Sequence, residues 1–379
     1  MQKRIRIISF SIVLVILLIG IIVINNNSNN KYSFTQDGIK YALTLDGNKV
    51  TSFPSKGMYK VQATCEGADG RWLYDDWKLA IENITSDDVT CDINFSTITK
   101  TNLNDYIISL SGSTQGTGQV VNENGYRYEG KNPNNYIWFN NEYWRIIGVF
   151  DSASHGQSNK NLVKIIRDDV LDGLAWDKSN TNDWTASSLK SLLNGAYYNA
   201  QDGTSSGYCY GYSTTVTANC DYTKRGIQSG YRGMIANVTW YLGGYSSNSA
   251  TAGSFYGYER GTTVYSGRPT STTGYIGLMY PSDYGYSVLS SSCARTTNLG
   301  SYNTASCAGA SWLYGKGTEW TLTPYSSNSS YVFNLNYLGY VLYDFSNNGS
   351  GSRPVLYLDA SVYKIDGDGS LKNPYIVGM

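Results

Sequence analysis

Side chains whose types and spacing could do covalent or acid–base chemistry are sparse in this chain. Asp168-Asp169, Asp172 and Glu259 supply carboxylates, and hydrolysis of a glycosidic bond needs only two acids flanking it. These acids stand beside Gly and Arg in stretches that read as surface loops, where a carboxylate is ordinarily solvated. The single histidine, His155, lies in the polar run Ser-His-Gly-Gln-Ser, reads as solvated, and leaves no histidine set for a metal. Asp366-Gly367-Asp368-Gly369 has the opening of a calcium loop without its later ligands, so it reads as a turn. No Gly-Lys-Ser phosphate loop occurs, which removes one common nucleotide site. No catalytic residue, metal ligand or cofactor is assigned.

Non-covalent recognition is better supplied. Trp320, Tyr325, Asn334, Asn336, Tyr337, Tyr340, Tyr343, Asp344, Asn347 and Asn348 interleave aromatic, amide and acid side chains near the chain's end. Tyr offers rigid amphipathic contact area at little rotamer cost, and Asn offers adaptable hydrogen bonds. That combination suits a glycan or a protein surface. A chain with 35 Tyr and 40 Gly also produces such a stretch by composition alone, and both readings stand at this point.

Such a surface needs a rigid frame, and its seed is residues 136–150. Two runs rich in aromatic and β-branched residues flank Asn140-Asn141, a pair that tolerates the positive φ angles of a tight turn, so the stretch predicts a β-hairpin. A third run, residues 162–167, has the same chemistry and predicts a meander beside it. Thr185 is placed to cap a helix whose Leu189, Leu192, Leu193, Ala196 and Tyr197 share one face. Residues 203–290 are rich in Gly, Ser, Thr and Tyr and predict long loops. Strand-like runs return at 319–323, 331–335, 340–345 and 354–358.

At the other end, residues 7–24 are uncharged and almost wholly apolar, long enough for a membrane-spanning helix. Lys3, Arg4 and Arg6 precede them and favour the cytoplasmic side, so the remainder is expected outside the cell, held in the membrane through residues 7–24. The exit sequence lacks a small-x-small cleavage pattern, which favours an uncleaved anchor over a signal peptide. Three of the 29 basic residues precede this segment and all 29 acidic ones follow it. The exported part is thus three charges negative, which argues against nucleic acid as a partner.

Residues 31–96 hold several short strand-like runs and predict a small all-β domain. Residues 97–118 predict a short helix, with Leu103, Tyr106, Ile107 and Leu110 on one face and Gly112 at its end, followed by a flexible Ser/Gly/Thr joint. A large domain is then expected over residues 119–379. Six cysteines leave many pairings open. Each of Cys65 with Cys91, Cys209 with Cys220, and Cys293 with Cys307 falls within one compositional block, so sequential disulfides are expected in an oxidising compartment.

Four blocks of the large domain carry a resemblance: Tyr143-Trp144-Arg145-Ile146-Ile147; Trp184-x-x-Ser187-Ser188-Leu189-Lys190-x-Leu192-Leu193-Asn194 with Tyr197-Tyr198; Glu319-Trp320-Thr321-Leu322-Thr323-Pro324; and Ser352-Arg353-Pro354-Val355-Leu356. In this order they resemble an uncharacterised exported domain of Gram-positive gut bacteria. That family is similar to the C-type-lectin-like fold in its larger, formylglycine-generating-enzyme-like form. The resemblance implies a twisted antiparallel sheet with a flanking helix and long loops. It does not carry over the chemistry of the wider fold. Cys293 and Cys307 are not a closely spaced reactive pair, one histidine cannot serve an iron oxidase, and Asn182-Asp183-Trp184 only echoes a calcium-lectin motif.

The expectation is therefore an α+β, mostly β chain. An N-terminal transmembrane helix precedes a small all-β domain, and a large C-type-lectin-like domain with a twisted antiparallel sheet, flanking helix and long loops follows. Adhesion or recognition of a glycan or protein at the cell surface is the expected role. A structural envelope protein is the alternative, and a carbohydrate-active enzyme the third reading.

Overall fold

The computed structural model describes residues 6–7, 31–74, 76–212, 215–216 and 219–379, with only the backbone described at 6–7 and 215–216. Apart from Ile7, the expected anchor at 7–24 lies outside the described residues. Among the described residues no helix is long and apolar enough to cross a membrane. The chain is α+β with strands predominating, and it divides into two compact units, residues 1–100 and 101–379.

In the smaller unit Ile39–Leu45 runs parallel to Val89–Thr97, which pairs antiparallel with Tyr59–Glu66. Their alternation buries Tyr41, Leu43, Val61, Ile93 and Phe95. The hairpin of Asp69–Leu73 and Lys78–Glu82 adds Trp72, Leu79 and Ile81 to the same core. Trp72 meets Phe95 edge-to-face at 5.2 Å, so it is a packing residue. Trp77 is half-buried, and its indole donates to Pro54 O at 2.7 Å. Cys65 and Cys91 are directly opposed across two strands and joined as a disulfide. A Cβ on Gly70 would lie 2.3 Å from Cys65 Sγ, so the bond needs a bare backbone above it.

The larger unit is built on the nine-residue strand Glu142–Phe150, whose residues from Trp144 onward are buried. Asn140 and Asn141 both have positive φ and turn Tyr136–Phe139 back onto it. The Asn140 side chain also pins a distant loop, its amide donating to Gly226 O and accepting from Gln228 N. Leu162–Arg167 lies antiparallel on the other side, with a bulge at Ile147. Past that bulge the neighbour of the strand changes from Tyr136–Phe139 to Tyr126–Gly130. At the changeover Gly148 approaches Tyr126 O so closely that a Cβ would lie 2.3 Å from it. The result is an eleven-stranded, curled half-barrel sheet. It is extended on one side by Tyr375–Gly378, parallel to Tyr136–Phe139, and by Tyr363–Asp366, which pairs with Thr101–Asn102 at the edge.

Three expectations about the framework differ from the structure. From Thr101 onward, the segment read as helix and joint is folded into the larger unit. Leu103 and Ile107 of the helix Leu103–Ser109 are fully buried in its core, and Thr114–Gln115 pairs with Gly118–Asn122. Apolar spacing shows that a helix has a buried face but not which body buries it. The cap of the next helix is Ser187, whose hydroxyl accepts from Lys190 N. Asp183 instead takes Thr185 N into a preceding 3-10 turn, and the helix continues as a π turn at Leu193–Tyr197. The third difference is His155, which is fully buried and not solvated.

The His155 Nδ1 accepts from Gln157 N at 3.1 Å, which leaves Nε2 to donate to Phe150 O at 3.1 Å. Burial holds its pKa below the ordinary value, so the folded chain keeps the ring neutral while the unfolded chain takes up a proton near pH 6.5. Stability should therefore fall as pH drops below about 6.5, by up to about 1.4 kcal/mol per pH unit, until the folded pKa is reached. In denaturant melts between pH 5 and 8, the stability difference between wild type and His155→Gln should change only on the acid side. A constant difference would contradict the assignment.

Candidate functional site

The residues singled out as a recognition surface fall on a second sheet of the larger unit, ordered Gly173–Ala175, Gly349–Gly351, Glu319–Pro324, Tyr331–Leu335 and Val341–Phe345. Register divides its side chains between two faces. Tyr331 opposes Phe345 and Phe333 opposes Tyr343 on one face; Asn334 opposes Trp320 and Leu342 on the other.

The first face is covered where Phe255 of the helix Ala252–Glu259 meets Phe333 edge-to-face at 5.2 Å. Beyond that contact the face continues uncovered into a run of rings. Tyr343 lies 4.4 Å from Tyr325 and 5.3 Å from Tyr331, and Tyr331 lies 4.7 Å from Phe345. The three tyrosines are half-buried and Phe345 is 44% exposed. Each ring is propped by the next, so the platform is rigid and still open on one side. Tyr245, stacked at 4.0 Å on Tyr258, joins Tyr325 through an isolated parallel bridge and extends the aromatic ground.

Asn182 holds this platform in place. Its side chain is buried, and its Nδ2 lies 2.9 Å from Tyr325 O, 2.8 Å from Asn328 O and 3.1 Å from Tyr331 O, tying down the turn between the two tyrosines. Arg268 Nε donates to its Oδ1 at 3.3 Å. Asp183 caps a turn and Trp184 is core, so the Asn-Asp-Trp run is scaffolding.

Of the expected surface residues, only Tyr325 and Tyr343 belong to the platform. Trp320 and Asn334 are corrected to interior positions: Trp320 is 1% exposed with its indole donating to Leu174 O at 2.8 Å, and Asn334 is 2% exposed beside it. Asn336, Tyr337 and Tyr340 form the turn at the opposite end of the hairpin, about 10–17 Å along the strands. There Tyr337 is 63% exposed and Asn336 accepts from Leu338 N. Asp344 points to the other face and accepts from Asn348 Nδ2 at 2.7 Å, and Asn347 lies in the same turn. Tyr331 and Phe345 complete the platform and were not selected from the sequence. Alternation across Tyr-Val-Phe-Asn-Leu and Val-Leu-Tyr-Asp-Phe is the signal that locates them.

The carboxylates considered for catalysis do not assemble. Asp168 and Asp169 pair with Lys316, and Asp172 accepts from Asn219. Glu259 is fully buried elsewhere, accepting from Ser282 N and Ser282 Oγ and paired with Arg260. Burial pushes its carboxyl up to about 7 against the opposing pull of Arg260. The arginines of the four sequence blocks are structural. Arg145 stacks 3.8 Å from the Tyr136 ring, and Arg353 is a buried partner of Glu319. The six cysteines are joined as Cys65–Cys91, Cys209–Cys220 and Cys293–Cys307. Among the described residues no group of acidic, histidine or cysteine side chains is placed to hold a metal ion.

None of the family models, curated proteins or solved structures compared with this chain matches it.

Proposed function

We propose that this is a membrane-anchored bacterial surface protein whose larger unit, a C-type-lectin-like domain, binds a glycan on the platform of Tyr325, Tyr331, Tyr343 and Phe345. The observation that carries the reading is the uncovered, mutually braced run of rings at the end of a sheet face that is otherwise buried. A single exposed ring needs no explanation, whereas a contiguous exposed aromatic patch marks a ligand or partner surface. A sugar ring lays its apolar C–H face on an aromatic plane and turns its hydroxyls outward. Here the phenol groups and the nearby Asn328, Ser329 and Ser330 supply partners for those hydroxyls. Display outside the cell rests on the basic-then-apolar N-terminus and is consistent with the three disulfides. The curled, mostly antiparallel sheet, flanking helices and long loops support the C-type-lectin-like reading.

Binding of the full chain, in a non-ionic detergent, to arrayed glycans, cell-wall polysaccharides and mucins tests the proposal. Replacing Tyr331, Tyr343 and Phe345 together by Ser should weaken the selected interaction at least about tenfold, the loss of one or more stacking contacts, with the melting transition retained. Unchanged affinity in that variant would sink the platform as the site. An intact fold that binds none of these ligands would leave the structural envelope role.

A further inference from the structure

A second set of side chains, inside the larger unit, has chemistry that the recognition surface does not use. Cross-strand register places Arg127 opposite Gly148, Gly148 opposite Lys164, and Lys164 opposite Tyr357. These four positions form one row across four strands, with the glycine leaving a gap between two cations. Two helices roof the row. Asp283 comes from the first turn of Pro281–Ser287, and Tyr256, Glu259 and the adjoining Arg260 from the end of Ala252–Glu259.

The acceptors in this cluster are already occupied. Asp283 takes Arg127 Nη1 at 3.0 Å on one oxygen, and Lys164 Nζ at 2.5 Å with Tyr280 N at 2.9 Å on the other. Both oxygens of Glu259 are held by Ser282, and one also by Arg260 Nη1 at 3.2 Å. The donors are in surplus. Arg127 Nη2, Arg260 Nε and the Tyr357 hydroxyl are buried without a hydrogen-bond partner, although Arg127 and Tyr357 are each only 1% exposed.

The side chains that carry these donors share a neighbourhood. The two guanidinium groups lie 5.7 and 3.6 Å from the Tyr256 ring, and Arg127 and Arg260 are among the charges acting on the Tyr357 hydroxyl. Charge is in surplus as well, with three cations facing two carboxylates. A buried donor left unmatched costs about 1–3 kcal/mol, and more if charged, so a ligand here must accept hydrogen bonds and bring negative charge.

We propose that this cluster is a binding site for a small monovalent anion of halide size, held by Arg127 Nη2, Arg260 Nε and the Tyr357 hydroxyl. One negative charge neutralises the cluster, and three donors from three different elements match an ion without directional lone pairs. Arg260 and Tyr256 are partly exposed and give the ion its route. An internal water would satisfy the donors and leave the charge, which is the distinction the experiment reads.

The test is thermal melting of the full chain in sodium chloride titrated against sodium isethionate at constant ionic strength, beside diffraction from crystals grown in sodium bromide. The expected result is a saturable rise in melting temperature with chloride and a bromide anomalous peak among the three donors. Tyr357→Phe removes one donor that has no protein partner, so the fold should survive it. Its apparent chloride dissociation constant should rise roughly fivefold, the value of one neutral hydrogen bond. Absence of both the chloride dependence and the bromide peak would overturn the site. So would a dependence that Tyr357→Phe leaves unchanged, or a peak confined to other residues.

Discussion

Replacing Asp283 by Ala should destabilise the larger unit by about 3–5 kcal/mol, the cost of removing one partner from a buried ion pair. The carboxylate is 2% exposed and serves two cations that are themselves almost wholly buried, Arg127 and Lys164. Burial pulls the Lys164 ammonium down to about 8 against the opposing attraction of Asp283. On Asp283 the balance is reversed: burial raises its pKa, but Lys164 and Arg127 together hold it below the ordinary carboxylate value. At neutral pH both partners are ionised, and the acid is what makes the lysine's position tolerable. Without it Lys164 would keep only the rings of Tyr280, Phe150, Trp240 and Tyr357, 4.5 to 5.8 Å away. Urea unfolding followed by tryptophan fluorescence measures the loss. Asp283→Asn should be nearly as damaging because the charge is gone, whereas Asp283→Asn with Lys164→Met should recover a large part of it, since a thioether suits a cage of rings. A loss below about 1 kcal/mol in Asp283→Ala would show that the cluster contributes little to holding the helices on the sheet.

Removing the Cys65–Cys91 bond should be felt almost as strongly, and only in the smaller unit. The bridge closes a loop of 26 residues, worth about 3 kcal/mol in the chain-entropy description. Its host has a single core of modest size around Tyr41, Trp72 and Phe95, and a domain of this length has little stability to spare. Cys65→Ser with Cys91→Ser should therefore leave residues 31–100 open to protease at 37 °C while residues 101–379 resist. Cleavage sites in limited proteolysis, read by mass spectrometry, decide it. Equal resistance of both units would mean that the aromatic core suffices without the bridge.

The parts of this fold legible in the sequence are those fixed by short-range chemistry. Asn140-Asn141 between two β-branched runs announces its hairpin because few residues accept positive φ twice in succession. The spacing of Leu103 and Ile107, and of Leu189, Leu192 and Leu193, announces helical faces. What stayed hidden depends on partners far along the chain. Lys164 sits in Leu-Val-Lys-Ile-Ile-Arg and reads as the outward side chain of a half-buried strand. It is interior because helices cover that face also, and Asp283 lies 119 residues away. His155 is misread for the same reason, since a polar local sequence says nothing of the Tyr357 ring 5.5 Å from it.

The proposed platform was half legible. Composition pointed to the hairpin that carries its rings, but choosing every aromatic and amide residue in it mixed two faces and two ends. Counting alternate residues from Phe333 would have separated Trp320 and Asn334 from Tyr331, Tyr343 and Phe345. The four sequence blocks are mostly packing and buried ion pairs, such as Trp144 and Glu319 with Arg353, which explains why they describe a framework and not a ligand.

The seam between Tyr375–Gly378 and Tyr136–Phe139 has a consequence for how the chain reaches this state. Ile137 is paired with Tyr375 across nearly the whole larger unit, and Thr101–Asn102 waits for Tyr363–Asp366. A chain emerging from the ribosome amino end first cannot complete its central sheet until residues 375–378 are free. Such high contact order makes for slow folding, and until it is complete the Tyr136–Phe139 edge offers unpaired amides to any passing strand. Two nascent copies held close together would meet that need equally well by trading their final strands, giving an intertwined dimer from the same contacts that make the monomer.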